Sequence, residues 1–169
     1  MVIELPTLYL HQDDMVNRLR ASVARHRASI LQAPPGTGKT RIAKWMLGTS
    51  ANREPKPTQS GKSLFAVHRR GLVDNASSSF NEHPRLPHGI LMSGVEHDAS
   101  RSVQVASIDT LLSWFCEDGA YTWDETFDLV IFDESHAHFS KLQTFLAAHN
   151  RRRLEMGLSM PYVIWLTAT

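Results

Sequence analysis

The chain has 169 residues, 42% hydrophobic and 21% charged, with 18 Lys/Arg against 17 Asp/Glu and a single cysteine. That length suits one domain with a real core, and the composition excludes a disordered chain, a coiled coil and a collagen-like repeat. No run of 18 apolar residues is present, the N-terminus lacks a basic stretch followed by an apolar one, and the lone Cys116 excludes an internal disulfide or a cysteine-built zinc site. The expected setting is therefore a reducing, cytoplasmic one (nucleoid or nuclear in a eukaryotic source), with no membrane partner. The charge is unevenly spread. Residues 1–70 hold 12 Lys/Arg and 4 Asp/Glu, whereas 71–150 hold 3 and 12. A polyanion-facing side and ordinary solvated helix faces both produce such a split.

From Gln12 to Arg27, the residues Val16, Leu19 and Val23 fall at helical spacing, with Asp13 and Asp14 where the helix dipole favours acids. A short strand is expected over 28–32, then the turn Ala33-Pro-Pro-Gly-Thr-Gly-Lys-Thr40, then helix over 41–47. Residues 49–62 are polar, contain Pro55, Pro57 and Gly61, and read as a loop. A strand over 63–67, a helix over 71–80, a break at 83–88 and a short strand over 90–92 follow. The next strand is 103–106. After it comes a helix with Ile108, Leu111, Leu112 and Phe115 on one face and Ser107 as N-cap. Residues 117–126 read as an acidic turn, and 129–132 is the clearest buried strand. Ser140 is expected to cap a helix carrying Leu142, Phe145 and Leu146, and 162–166 is the last strand. Strands separated by helices predict an α/β domain of three layers, a mainly parallel sheet between helices.

The turn at 33–40 is the strongest chemical signal. It fits G-x-x-x-x-G-K-[ST] except that Ala33 stands at the leading glycine. Pro34 and Pro35 have no N–H and can only shape the turn. The phosphate donors must come from Gly36, Thr37, Gly38, Lys39 and Thr40, with Lys39 reaching the β- and γ-phosphates of ATP and the Thr40 hydroxyl binding Mg²⁺. The plain alternative is a Gly/Pro turn with a surface lysine. Such a loop needs an acid at the end of a neighbouring strand, and the 129–132 strand runs into Asp133-Glu134. Asp133 is expected on the metal side, through water, and Glu134 as the base for the attacking water. The alternative for this pair is a solvated strand end.

These residues also carry a likeness. Asp133-Glu134-Ser135-His136 resembles the D-E-x-H motif of superfamily-two helicases and translocases, and the 33–40 turn resembles their first motif. Val67-His-Arg-Arg-Gly-Leu-Val-Asp-Asn75 is similar to their Ia segment. Val105-Ala-Ser-Ile-Asp-Thr-Leu111 is similar to A-T-x-x-x-L, and Leu166-Thr-Ala-Thr169 to S/T-A-T. Leu10-His-Gln12 stands where many members have Tyr-Gln. The order holds from about residue 8 to 169, closest to the restriction-subunit and repair-helicase branch, with Asn75, Ser107 and Gly71 as departures. The resemblance implies a RecA-like P-loop lobe (1–169) of a DNA- or RNA-dependent ATPase using ATP and Mg²⁺. It also implies a second RecA-like lobe outside this chain that supplies arginines to the transferring phosphoryl group. Gln12 would contact adenine, and Pro35 would belong with the phosphate turn. His136, Thr167 and Thr169 would couple nucleotide to nucleic-acid grip, and His68, Arg69, Ser107 and Thr110 would lie near the strand-binding surface. Two other readings stay open: a P-loop ATPase acting on protein, and a nucleotide-binding module without turnover.

Overall fold

The apolar periodicities close into elements in the order α1 (Leu10–His26), β1 (Ala28–Gln32), α2 (Lys39–Ala51), β2 (Ser63–Val67), α3 (Arg70–Asn81), β3 (Gly89–Leu91), β4 (Val103–Ser107), α4 (Ile108–Phe115), β5 (Cys116–Glu117), β6 (Ala120–Tyr121), β7 (Leu129–Phe132), α5 (Phe139–Glu155) and β8 (Tyr162–Thr167). The computed structural model describes residues 2–117, 120–134 and 138–168. Six strands form one sheet in the order β1-β8-β7-β2-β4-β3, every pairing parallel. No helix among the described residues is long and apolar enough to cross a membrane.

Alternation along the central strands decides the layering, because successive side chains point to opposite faces of a sheet. Phe65, Val67, Leu129 and Ile131 enter one apolar cluster with α1, α2 and α3. Leu64, Ala66, Val130 and Phe132 enter a second cluster with Leu111 and Phe115 of α4 and Leu142 and Phe145 of α5. Strands buried on both faces need helices on both, which is why parallel sheets read as continuous apolar runs. The expected three-layer α/β domain is what forms, and the likeness to a RecA-like lobe holds at the level of topology.

Three local expectations are corrected. The last helix starts at Phe139 with His138 as its N-cap residue, so Ser140 is not the cap. Phe139 packs on Trp165 with ring centroids 5.3 Å apart, and the chain is already helical at Ser140, whose carbonyl accepts the Thr144 hydroxyl at 3.1 Å. The second helix begins at Lys39 and runs through Gly48 to Ala51, past its expected end. A Cβ on Gly48 would lie 2.7 Å from Leu5 Cδ2, so this glycine answers a close approach and does not stop the helix. The acidic stretch 117–126 is not only a turn, since β5 and β6 pair there as a short antiparallel ribbon.

The amino ends of the strands are tied by a buried ion pair. Arg153 is 0% exposed, and its Nη2 donates to Asp128 Oδ1 at 2.7 Å, its Nη1 to Thr126 Oγ1 at 3.1 Å and its Nε to Ser159 O at 2.6 Å. Asp128 also accepts the N–H groups of Ser60 and Gly61 at 2.9 and 2.7 Å. One turn away, the buried His149 ring lies among Tyr121, Phe127 and Phe145, and its Nε2 accepts the Phe127 N–H at 2.9 Å. Burial first, and the Arg153 charge second, hold the His149 pKa down to about 4. An unfolded histidine titrates near 6.5, so below that pH the unfolded chain binds the extra proton. Stability should therefore fall by about 3 kcal/mol as pH drops from roughly 6.5 to about 4. Urea unfolding followed across that window should show this loss, and His149→Gln, which keeps an acceptor for the Phe127 N–H, should flatten it. Parallel pH profiles for the two proteins would reject the assignment.

Candidate phosphate-binding site

Because the six strands run the same way, the carboxyl ends of β1, β8, β7, β2 and β4 share one edge, the place where ligands collect in open α/β sheets. β1 ends at Gln32 and feeds the 33–40 turn. Gly36 and Gly38 take φ of 82° and 84°, a left-handed backbone that side chains resist. A Cβ on Gly38 would also meet Gln12 Nε2 at 2.2 Å. Thr37 closes the turn by donating its hydroxyl to Pro34 O at 2.8 Å, while Pro35 is exposed on the outside of the turn. Gly38 is the N-cap residue of α2, so the N–H groups of Lys39 and Thr40 stand in its first turn at the positive end of the helix dipole. Lys39 Nζ donates to Ala33 O at 3.0 Å, which keeps its charge folded over the turn.

Gln12 is 3% exposed and spends both ends of its amide inside the protein. Its Oε1 accepts the Tyr9 N–H at 3.1 Å, and its Nε2 donates to Thr37 O at 3.1 Å. The start of α1 is thereby joined to the phosphate turn. Beside it the Tyr9 ring is 61% exposed, stacks with His11 at 6.0 Å and lies under the Arg41 guanidinium at 5.2 Å. Arg41 Nε is fixed on Thr7 O at 2.8 Å. The sequence reading passed over Tyr9 and Arg41; the available signal was an aromatic three residues before Gln12 and a cation two residues after Lys39.

Two strands away, the Asp133 N–H donates to Ala66 O at 2.9 Å and carries the β2–β7 ladder one residue past β7. Glu134 follows at φ 51°, a left-handed backbone that costs a non-glycine residue about 1–3 kcal/mol, and its N–H donates to Asp133 Oδ1 at 3.1 Å. Burial, and then the Glu134 charge, push the Asp133 carboxyl above its usual range; the Glu134 N–H and the Lys39 ammonium pull it back. The phosphate turn and the acidic pair thus stand on the same edge of the sheet.

No group of three or more His, Cys, Asp or Glu side chains is placed to hold a metal among the described residues. What is present suits Mg²⁺, which keeps several waters and binds through one or two carboxylates plus phosphate oxygens. Adjacent carboxylates, one of them half-buried and pushed up in pKa, form an oxygen donor set whose charge a hard cation relieves. Thr40 and Asp133 are the residues that would hold it.

The remaining candidates divide. His68 follows β2, its ring 5.5 Å from that of His138, and Arg69 is the exposed N-cap residue of α3. Val67 registers with Ser107, so the ends of β2 and β4 lie side by side. Ser107, however, is buried, and its hydroxyl is engaged locally: it accepts the Thr110 N–H at 3.2 Å and lies 2.9 Å from Thr110 Oγ1. Thr167 ends β8 opposite Gln32, and its carbonyl accepts the Ala33 N–H at 3.0 Å, directly at the head of the phosphate turn. His136 and Thr169 lie outside the described residues.

The model of the family described as "Type III restriction enzyme, res subunit" matches residues 5–169. The solved structure "Sulfolobus solfataricus SWI2/SNF2 ATPase core in complex with dsDNA" superposes with a TM-score of 0.68 at 16% identity, a likeness of fold. The match covers 100% of this chain and 34% of that one, so the chain spans about a third of that relative. No curated protein is significantly similar in sequence.

Proposed function

We infer the function from one premise: the chain belongs to the family of the Type III restriction enzyme, res subunit. It is a RecA-like, ATP-binding lobe of helicase or translocase type. Beyond that, we propose that it hydrolyses ATP in response to DNA or RNA as part of a two-lobed motor. The single observation behind this reading is that a phosphate turn, led by Gly38 and Lys39, and Asp133-Glu134 follow the carboxyl ends of β1 and β7 on one edge of the same parallel sheet.

In this mechanism the N–H groups of residues 36–40 bind the phosphates, and Lys39 leaves Ala33 O to neutralise charge on the β- and γ-oxygens. The exposed Tyr9 ring would meet the base through a face, and Gln12, buried and bonded to the Tyr9 N–H and Thr37 O, would hold that ring against the phosphate turn, reaching the base itself only by leaving one of those bonds. Thr40 and Asp133 would hold Mg²⁺, which would supply further positive charge at the phosphates. Glu134 accepts the proton of the water that attacks the γ-phosphorus, and the bond from that phosphorus to the bridging oxygen of ADP breaks. The resemblance to superfamily-two motors implies a partner lobe, whose arginines would raise turnover by roughly 10³–10⁵-fold. The lobe alone should then bind ATP weakly and turn it over slowly. Arg69 and His68, at the ends of β2 and α3, would grip the nucleic-acid backbone.

The test measures ATP turnover of the full-length, two-lobed protein, by itself and with single-stranded and duplex DNA and RNA. Stimulation by nucleic acid is expected, and Lys39→Ala should abolish it. Arg69→Ala should weaken binding at low salt and reduce the salt slope by about one phosphate contact. Stimulation by no nucleic acid would favour an ATPase acting on protein. Absence of single-turnover hydrolysis would favour a nucleotide-binding module.

A further inference from the structure

The opposite end of the sheet carries a second concavity. A cavity of about 430 Å³ opens between α1, α2 and the loop after α2; Leu129 at the start of β7 lies at its floor, and Val23, Met46 and the Trp45 indole form its walls. Its volume is that of a small-molecule site. Two guanidinia stand at its edge. Arg20 lies over the Trp45 ring at 5.7 Å, and Arg53 is exposed. Neither forms a salt bridge among the described residues. Two acids reach the same space, but Asp128 is already neutralised by Arg153 at 2.7 Å. That leaves two cations against Glu54, a balance of one positive charge. Thr49 Oγ1, in the same wall, has no hydrogen-bond partner among the described residues. None of these groups serves the phosphate turn. Along α2, Thr49 lies ten residues from Lys39, about 15 Å at the rise of a helix.

We propose that this cavity binds an aromatic monoanion, its ring system packed against Trp45, Met46 and Leu129 and its carboxylate- or sulfonate-type group set between Arg20 and Arg53. The charge balance selects the ligand class. A cation would face two guanidinia, a neutral ring would leave them uncompensated, and one anionic group matches the surplus. The apolar lining of Met46, Leu129 and the Trp45 indole suits an aromatic body. The site needs neither Lys39 nor Asp133, so its test stands apart from that of the ATPase.

The probe is 1-anilinonaphthalene-8-sulfonate, compared with the uncharged N-phenyl-1-naphthylamine, by fluorescence titration of the folded protein. One saturable site per chain is expected. The double variant Arg20→Gln/Arg53→Gln should weaken the sulfonate about tenfold and the neutral amine less than about twofold, since a charge-assisted contact is lost only for the former. Ala21→Trp, at an exposed α1 position on the cavity wall, should abolish both without moving the thermal unfolding midpoint. Equal binding by all variants, several equivalent sites per chain, or loss of probe binding in Lys39→Ala would each overturn the proposal.

Discussion

Glu134→Gln is expected to lower nucleic-acid-stimulated ATP turnover by roughly 10²–10⁴-fold while ATP binding stays within a few-fold. The substitution preserves size and removes the ability to accept a proton. The position is unusual before any chemistry is considered. Glu134 holds a left-handed backbone, φ 51°, directly after the carboxylate that Lys39 acts on. Strain of that kind persists where the surroundings over-determine it, and the ladder bond from Asp133 to Ala66 together with the bond from the Glu134 N–H to Asp133 supplies that constraint. Nucleotide binding followed by titration, beside steady-state turnover, separates the two effects. Turnover that survives in the variant would remove Glu134 from the reaction and leave Asp133 as the acid to examine.

Arg153→Ala is expected to cost about 3–5 kcal/mol of folding stability, a fall of roughly 6–20 °C in the thermal midpoint for a chain of this size. The guanidinium is fully buried, and its removal strands Asp128, which retains only the Ser60 and Gly61 N–H groups. The attraction lost is smaller than the cost of the charge left behind. A double variant, Arg153→Met with Asp128→Asn, should therefore recover much of the loss. Urea unfolding of the two single variants and the double closes the cycle. An alanine variant within about 1 kcal/mol of the parent would show that water reaches Asp128 and that the pair is not buried in solution.

The phosphate turn and the acidic pair were readable because each is local: a run of glycines, a lysine and a threonine in eight residues, and two acids closing an apolar strand. The layers were readable too, since β7 is apolar at every position and β2 at all but Ser63, as strands covered on both faces tend to be. What escaped depends on distance along the chain. Asp128 looked like one more acid between the acidic turn and the next strand, and only folding brings it to Arg153 on α5 and to the N–H groups of Ser60 and Gly61. His149 gave no sign of its buried acceptor role, because its donor, the Phe127 N–H, comes from another element. Ser140 misled for the opposite reason. A serine is a strong local start signal, but the Phe139 contact with Trp165 had already set the helix going. Ser107 and Thr110 were read both as a helix cap and as part of a binding surface, and the hydrogen bonds between them account for the cap.

The place of β1 in the sheet has a consequence for how the protein is made. Among the described strands β1 pairs only with β8, Ala28 against Val163 through Gln32 against Thr167, and the head of the phosphate turn hangs from the Thr167 carbonyl. A ribosome working at about 5–20 residues per second delivers β8 on the order of ten seconds after the phosphate turn has emerged. Until then the turn hangs from a strand with no sheet neighbour, and the long loop that β1–β8 pairing must close is a slow step in any refolding. The first chemical motif in the chain is therefore the last to be built. Nucleotide binding by a growing or refolding chain is expected to appear only once β8 has paired with β1.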